Sequence, residues 1–306
     1  MKQPEAGCTE GGLFGIFDSM STYWNDRTRA LRPYVAGEQP RNQTYIKLNT
    51  NENPYPPSPL VIEALTRAAG ESLRRYPDPA CRELREAVAR VYRVKAEQVF
   101  AGNGSDEVLA FAFAAFFPPA SGVRASCGAP APLLFPDITY SFYPVYAALW
   151  DVPFRAVPLA ADFTLDLAEY RIENSGVIFP NPNAPTGRAV PRTAIARALA
   201  REKRVMVVDE AYHGFGSQSA VPLIADAPNL LTVHTLSKSA SLAGLRVGFA
   251  IGSEELIDGL CRVRDSVNSY TVDRLAQAGG AAAVLDVPYY EKINRMVAAT
   301  RERAAA

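Results

Sequence analysis

The sequence predicts an α/β fold, with a large domain built on a mostly parallel sheet covered on both faces and the beginning of a smaller domain after it. Three observations carry that expectation. Short apolar strand-like runs alternate with helical patterns along most of the chain. The length, 306 residues, suffices for a large core plus a smaller one. Apolar residues at 48% and charged residues at 21% give the balance of an ordinary globular protein.

Taken in order, residues 1–30 read as a tail, because the first twenty are rich in glycine, interrupted by proline and without a sustained apolar period. Residues 31–57 read as an arm. Leu31-Arg32-Pro33-Tyr34 is extended by the restriction proline places on its neighbour, and Leu48 to Pro57 is too rich in turn residues for regular structure. The large domain is expected over 58–270. It opens with helices near 58–70 and 80–93, a strand at 98–101 and a helix over 106–117. A Pro/Ala/Gly surface loop runs from Pro118 to Pro132, followed by a strand at 133–135 and a helix over 141–149. Next come a strand at 176–179, a helix over 191–202, and strands at 204–208, 230–233 and 246–251, closed by a helix over 254–267. Residues 271–306 are expected to start the smaller domain. Their last helix, from Pro288, has a proline suited to a first turn and an apolar stripe of Ile293, Met296, Val297 and Thr300, which needs a partner surface.

Composition excludes several functions. The 32 basic and 32 acidic side chains balance, so net charge recruits neither nucleic acid nor an anionic membrane. Cys8, Cys81, Cys127 and Cys261 are far apart with no C-x-x-C pair, and His213 and His234 are the only histidines, so no metal site or disulfide framework is expected. No apolar run reaches the roughly 18 residues of a membrane helix and no signal pattern opens the chain, which places it in the cytoplasm.

Four segments carry candidate chemistry. In Thr235-Leu236-Ser237-Lys238, followed by Gly244-Leu245-Arg246, a lysine lies just past a strand among small hydroxyl residues with an arginine downstream, a crowd suited to an anionic ligand. A solvated loop lysine is the plain alternative. In Val207-Val208-Asp209-Glu210-Ala211-Tyr212 a buried strand delivers two carboxylates and a tyrosine at its carboxyl end. Burying Asp209 without a cation would cost several kcal/mol. A turn-capping aspartate is one reading, and the partner of a ring nitrogen that must stay protonated is the other. Gly102-Asn103-Gly104-Ser105-Asp106-Glu107 leads into a helix, where free N–H groups and the helix dipole would hold phosphate or where the loop is simply capped. The fourth segment, Pro180-Asn181-Pro182-Asn183-Ala184-Pro185-Thr186-Gly187, is a rigid turn directly after a strand.

In this order and spacing, GNGSDE, P-N-x-P-T-G, DEAY and TLSK-x5-GLR-x-GF resemble the fold-type I aminotransferases that use pyridoxal 5′-phosphate (PLP), and within them the histidinol-phosphate aminotransferase family, from about Leu31 to about Arg303. The resemblance implies a three-layer αβα PLP-transferase large domain and PLP as cofactor. It makes Lys238 the Schiff-base lysine and proton shuttle, Asp209 the partner of the pyridine nitrogen, and Tyr212 the donor to the ring's phenolic oxygen. Ser105, Asp106, Ser237 and Arg246 match the phosphate contacts, and Tyr140 the aromatic that stacks on the ring. Tyr76 matches a tyrosine that reaches the phosphate of the other subunit, which implies a homodimer, while Tyr34 and Glu52 fall where the family lines its substrate site. A carboxylate ~4 Å from a ring N–H⁺ is worth about 4 kcal/mol at an effective dielectric of 20, or about three pKa units.

Two departures stand out. Where the family often has asparagine before P-T-G, this chain has Ala184, with Asn183 one residue earlier. The family also continues into a small domain carrying an arginine for the acceptor's carboxylate, whereas this chain ends at Ala306, so a truncated small domain is expected. The implied activity is transamination between histidinol phosphate, or a related amino acid, and 2-oxoglutarate. A PLP-dependent decarboxylase of a phosphorylated amino acid and a catalytically impaired PLP-binding protein are the alternatives.

Overall fold

The structure is a computed structural model of the chain and describes residues 22–35, 37, 46–122, 128 and 130–306. Most of the expected tail, and parts of the arm and of the loop from Pro118 to Pro132, lie outside the described residues.

Seven strands form one sheet: β1 (Val99–Asn103), β2 (Leu133–Pro136), β3 (Phe154–Val157), β4 (Gly176–Pro180), β5 (Met206–Asp209), β6 (Leu230–Thr235) and β7 (Val247–Ile251). Their order is β1-β7-β6-β5-β4-β2-β3. Neighbours from β6 through β3 are parallel, and β7 runs antiparallel to both β1 and β6. The central strands are buried from end to end, as strands covered on both faces must be.

Alternation along each strand divides the core in two. Ile178, Val207, Leu231 and Val233 face a layer made by α4 (Gly104–Phe116), α5 (Phe142–Leu149) and α7 (Glu254–Val267). Phe179, Met206, Val208 and Leu230 face the opposite layer, which includes α2 (Pro59–Ala68), α3 (Arg82–Tyr92), α6 (Arg192–Leu199), α8 (Arg274–Leu285) and α9 (Val287–Ala305). Helix α1 (Asp26–Ala30) stands apart on the surface. Asp209 follows the parity of Val207, and Glu210 that of Val208. Two adjacent carboxylates are thereby sent to opposite faces of the sheet.

The helices and strands expected from the sequence appear, most within two or three residues of the expected ends. β3 and α8 were not expected. The C-terminal helix docks on the layer of α2 and α3: Tyr290 and Ile293 are buried, Tyr290 Oη accepts from the Ser58 N–H at 3.1 Å, and Tyr289 Oη donates to the Pro56 carbonyl at 2.9 Å. Its buried face is Tyr290, Ile293 and Asn294, so of the predicted stripe Met296 and Thr300 remain exposed.

Candidate active site

The carboxyl ends of β2, β4, β5 and β6 open on one cavity of about 450 Å³, where a parallel sheet places its ligands. Tyr34, Ser105, Asp106, Tyr140, Asp209, Tyr212, Ser237, Lys238 and Arg246 all line it.

One end is an anion cradle. β1 passes directly into α4 through Gly104, whose φ of +77° is open to glycine and whose missing Cβ leaves room for Arg246, since a Cβ would lie 2.5 Å from Nη2. Beneath it, Gly248 of β7 lets the start of α4 sit on the strand; a Cβ there would be 2.3 Å from the Ser105 nitrogen. The first N–H groups of α4 have no partner within the helix, and its dipole favours negative charge. Ser237 accepts from Thr235 Oγ1 at 3.0 Å, which leaves its own hydroxyl proton to donate. The Asp106 carboxylate is otherwise engaged, accepting from Tyr140 Oη at 2.7 Å and from Arg246 Nη2 at 2.8 Å. Its backbone N–H, rather than its carboxylate, is therefore the group suited to an anion.

At the other end Asp209 is buried. Oδ1 accepts from the Ala211 N–H at 3.1 Å and Oδ2 from Tyr143 Oη at 3.0 Å. Burial pushes its pKa up to about 6, the two hydrogen bonds oppose that, and no cation among the described residues pairs with it. Such a carboxylate suits a ligand that brings its own positive charge.

Between the two ends stands Lys238. Nζ donates to the Thr50 carbonyl at 2.5 Å and lies 5.9 Å from the centre of the Tyr212 ring. Burial lowers its pKa, which favours the neutral, nucleophilic amine. Tyr212 Oη accepts from Asn51 Nδ2 at 2.9 Å and keeps its own proton to donate. The arrangement fits a flat ligand with an anion at one end, a cationic nitrogen at the other and an electrophilic carbon near Nζ.

Three expected residues lie outside this cavity. Asn183 does not reach it: Nδ2 donates to the Ile138 carbonyl and to Thr186 Oγ1, and Ala184 lines the wall instead. Glu52, paired with Lys47 at 2.6 Å, shares with Asn183 an adjoining cavity of about 720 Å³. Tyr76 is 78% exposed and stacks on Tyr270, with ring centres 4.6 Å apart. Conversely, Tyr143, Thr50, Asn51 and Asn53, whose Nδ2 donates to the Lys238 carbonyl at 3.1 Å, were not found in the sequence. The asparagine-rich turn at 49–53 was the available signal.

The family description "Aminotransferase class I and II" matches residues 43–306. This chain belongs to that family. The aminotransferase is 53% identical over 287 residues to histidinol-phosphate aminotransferase of Clostridium acetobutylicum, covering 94% of this chain and 79% of that protein. It is 54% identical over 291 residues to histidinol-phosphate aminotransferase 1 of Bordetella parapertussis, with the same coverage. Among solved structures it is similar to histidinol-phosphate aminotransferase from Sinorhizobium meliloti in complex with pyridoxal-5′-phosphate, with a TM-score of 0.70 and 27% identity over 83% of this chain and 68% of that one. A Thermus thermophilus aspartate aminotransferase variant, at 22% identity, shares the fold with a TM-score of 0.76 over 92% of this chain and 77% of that one.

Proposed function

We propose that this chain is a cytoplasmic PLP-dependent aminotransferase that moves an amino group between histidinol phosphate and 2-oxoglutarate. The observation that carries the reading is the convergence, on one cavity, of a buried carboxylate with no cation of its own, a lysine of lowered pKa and a glycine-lined anion cradle. PLP presents the three complements: a protonatable ring nitrogen, an aldehyde and a phosphate. Its bound ring supplies the sink for the electron pair released when a substrate Cα–H bond breaks.

The residues divide the remaining work. The N–H groups that open α4, with the Ser105 and Ser237 hydroxyls and Arg246, hold the phosphate. Asp209, oriented by Tyr143 and the Ala211 N–H, would face the ring nitrogen and keep it protonated. Tyr212 would donate its hydroxyl proton to the ring oxygen, and Tyr140, fixed by Asp106, would offer its ring as a wall. Lys238 would tether the cofactor through Nζ, and as a free amine the same Nζ would be placed to take the substrate's α-proton and return it. The Thr50 carbonyl, an acceptor only, positions that amine. Tyr34 and Glu52 are assigned to the substrate end and Asn183 to bracing the turn after β4.

The same reading makes the protein a homodimer. Support comes from Tyr76, which is exposed and unused by the cavity of its own chain, and from Val35, Ile46 and Leu48 on the arm, which are largely exposed. No helix among the described residues is long and apolar enough to cross a membrane.

The test is an assay of purified protein with PLP, histidinol phosphate and 2-oxoglutarate, beside Lys238→Ala. Glutamate formation that requires both substrates and is lost in the variant supports the reading. No glutamate from the wild type, or glutamate formed equally by the variant, overturns it.

A further inference from the structure

We propose that Glu210, His213 and His234 form a binding site for one divalent transition-metal ion, zinc by the chemistry of its ligands, on the face of the sheet opposite the cofactor cavity. The sequence alone predicts no metal site, because the two histidines stand far apart in no recognised ligand spacing. The fold removes that separation. Asp209 of β5 pairs with Val233 of β6, and the Glu210 N–H bonds the Val233 carbonyl at 2.7 Å, so the next side chains along, Glu210 and His234, emerge on the same face. His213 joins them from the turn that follows β5.

The ligand atoms of the three residues lie within 4.8 Å of one another, and Glu210 Oε2 is 3.7 Å from His234 Nε2. The side chains of Glu210 and His234 are 0% and 4% exposed. Glu210 is held by its other oxygen, Oε1, which accepts from the Ala220 N–H at 2.5 Å. Oε2 has no partner, and neither has the buried Nδ1 of His213. Two buried polar atoms left without a partner are costly unless something electrophilic joins them.

Two imidazoles and one carboxylate are a zinc set. Tetrahedral zinc at about 2.0–2.1 Å from each donor sets donor pairs roughly 3.3 Å apart, so the widest pair here would close by roughly 1.5 Å. His234 Nε2, now 3.1 Å from Thr232 Oγ1, would exchange that contact for the metal. His213 also lines a cavity of about 680 Å³ with Tyr92, Phe249 and Asn294, which supplies an entry route and room for water as fourth ligand. The ion would tie β6 to the turn carrying Tyr212.

The test is zinc binding by the full chain after chelator treatment, measured by competition with a chromophoric chelator, with cobalt as a spectroscopic probe of geometry. One zinc per chain is expected, with tetrahedral cobalt bands and a zinc-dependent rise in melting temperature. His213→Gln, at a half-buried position where folding is least at risk, and His234→Gln should each weaken binding at least tenfold and remove that rise, while Cys261→Ser, which removes the half-buried thiol, should change neither. Uptake well below one ion per chain, unchanged affinity in His213→Gln, or loss in Cys261→Ser alone would each overturn the proposal.

Discussion

At Asp209 the two partners of the carboxylate are neutral, the Tyr143 hydroxyl and the Ala211 N–H, and burial lifts its pKa from 3.8 to about 6. Between those values the folded chain holds a proton that the unfolded chain has released, so stability falls as pH rises through this window and stays lower above it. A shift of about two units amounts to about 3 kcal/mol. Without added PLP, Asp209→Asn is therefore expected to melt above the wild type at pH 7.5, with the difference shrinking towards pH 4.5; matched melting curves at both values check it, and parallel behaviour at the two would refute it. The same substitution should lower kcat by about 10³-fold, the kinetic equivalent of about 4 kcal/mol for a charge pair at ~4 Å. Opposite signs for stability and rate are what a residue kept for function shows. Lys238, Asp209, Tyr212 and Arg246 stand out in the sequence through the resemblance of TLSK-x5-GLR-x-GF and DEAY to the aminotransferases, and the structure brings all four to one cavity. Tyr143 and Thr50 do not stand out: Tyr143 reads as ordinary helix core, and Thr50 acts through its carbonyl, which every residue has.

The junction of β1 with α4 shows how two elements make a site that neither contains. Gly248 stands in the sequence as the glycine of the GLR-x-GF motif, but only the fold shows what it does: a Cβ on it would stand 2.3 Å from the backbone of Gly104 and Ser105. Gly248→Ala must push the start of α4 off the strand and misplace the N–H groups of the cradle. PLP affinity, titrated by absorbance, should fall at least tenfold, while pyridoxal, which lacks the phosphate, should bind the variant and the wild type about equally. An equal loss for both ligands would locate the damage elsewhere. Element ends were readable from caps and apolar runs, but β3 and α8 were missed for different physical reasons. β3 is four residues long with three of them exposed, too short and too wet to stand out. α8 has no amphipathic contrast, since Gly279 and Gly280 let it approach Leu65, Leu245 and Leu84 closely and its alanines are buried on several sides.

Strand order is the property of the whole molecule that no local pattern carries: β7 returns antiparallel between β1 and β6, and that insertion brings Gly248 under α4 and Arg246 beside Asp106. The two ends of the described chain are joined in the same non-local way. Ser58, fully buried at the start of α2, gives its N–H to Tyr290 Oη and its hydroxyl to the Asp286 carboxylate, so the entry to the first large helix depends on the last two helices. Tyr290→Phe keeps the ring in the core and removes only the acceptor, leaving a buried N–H without a partner, a loss of about 1–3 kcal/mol. The expected result is a melting temperature lower by several degrees in a single transition, with PLP affinity nearly unchanged, because the cofactor cavity lies on the other face of the sheet. Differential scanning calorimetry beside a PLP titration reads both. A separate early transition would show instead that α9 unfolds as its own unit, and a large loss of PLP affinity would show that the docking of α9 is transmitted through the His213–Phe215 turn to Tyr212.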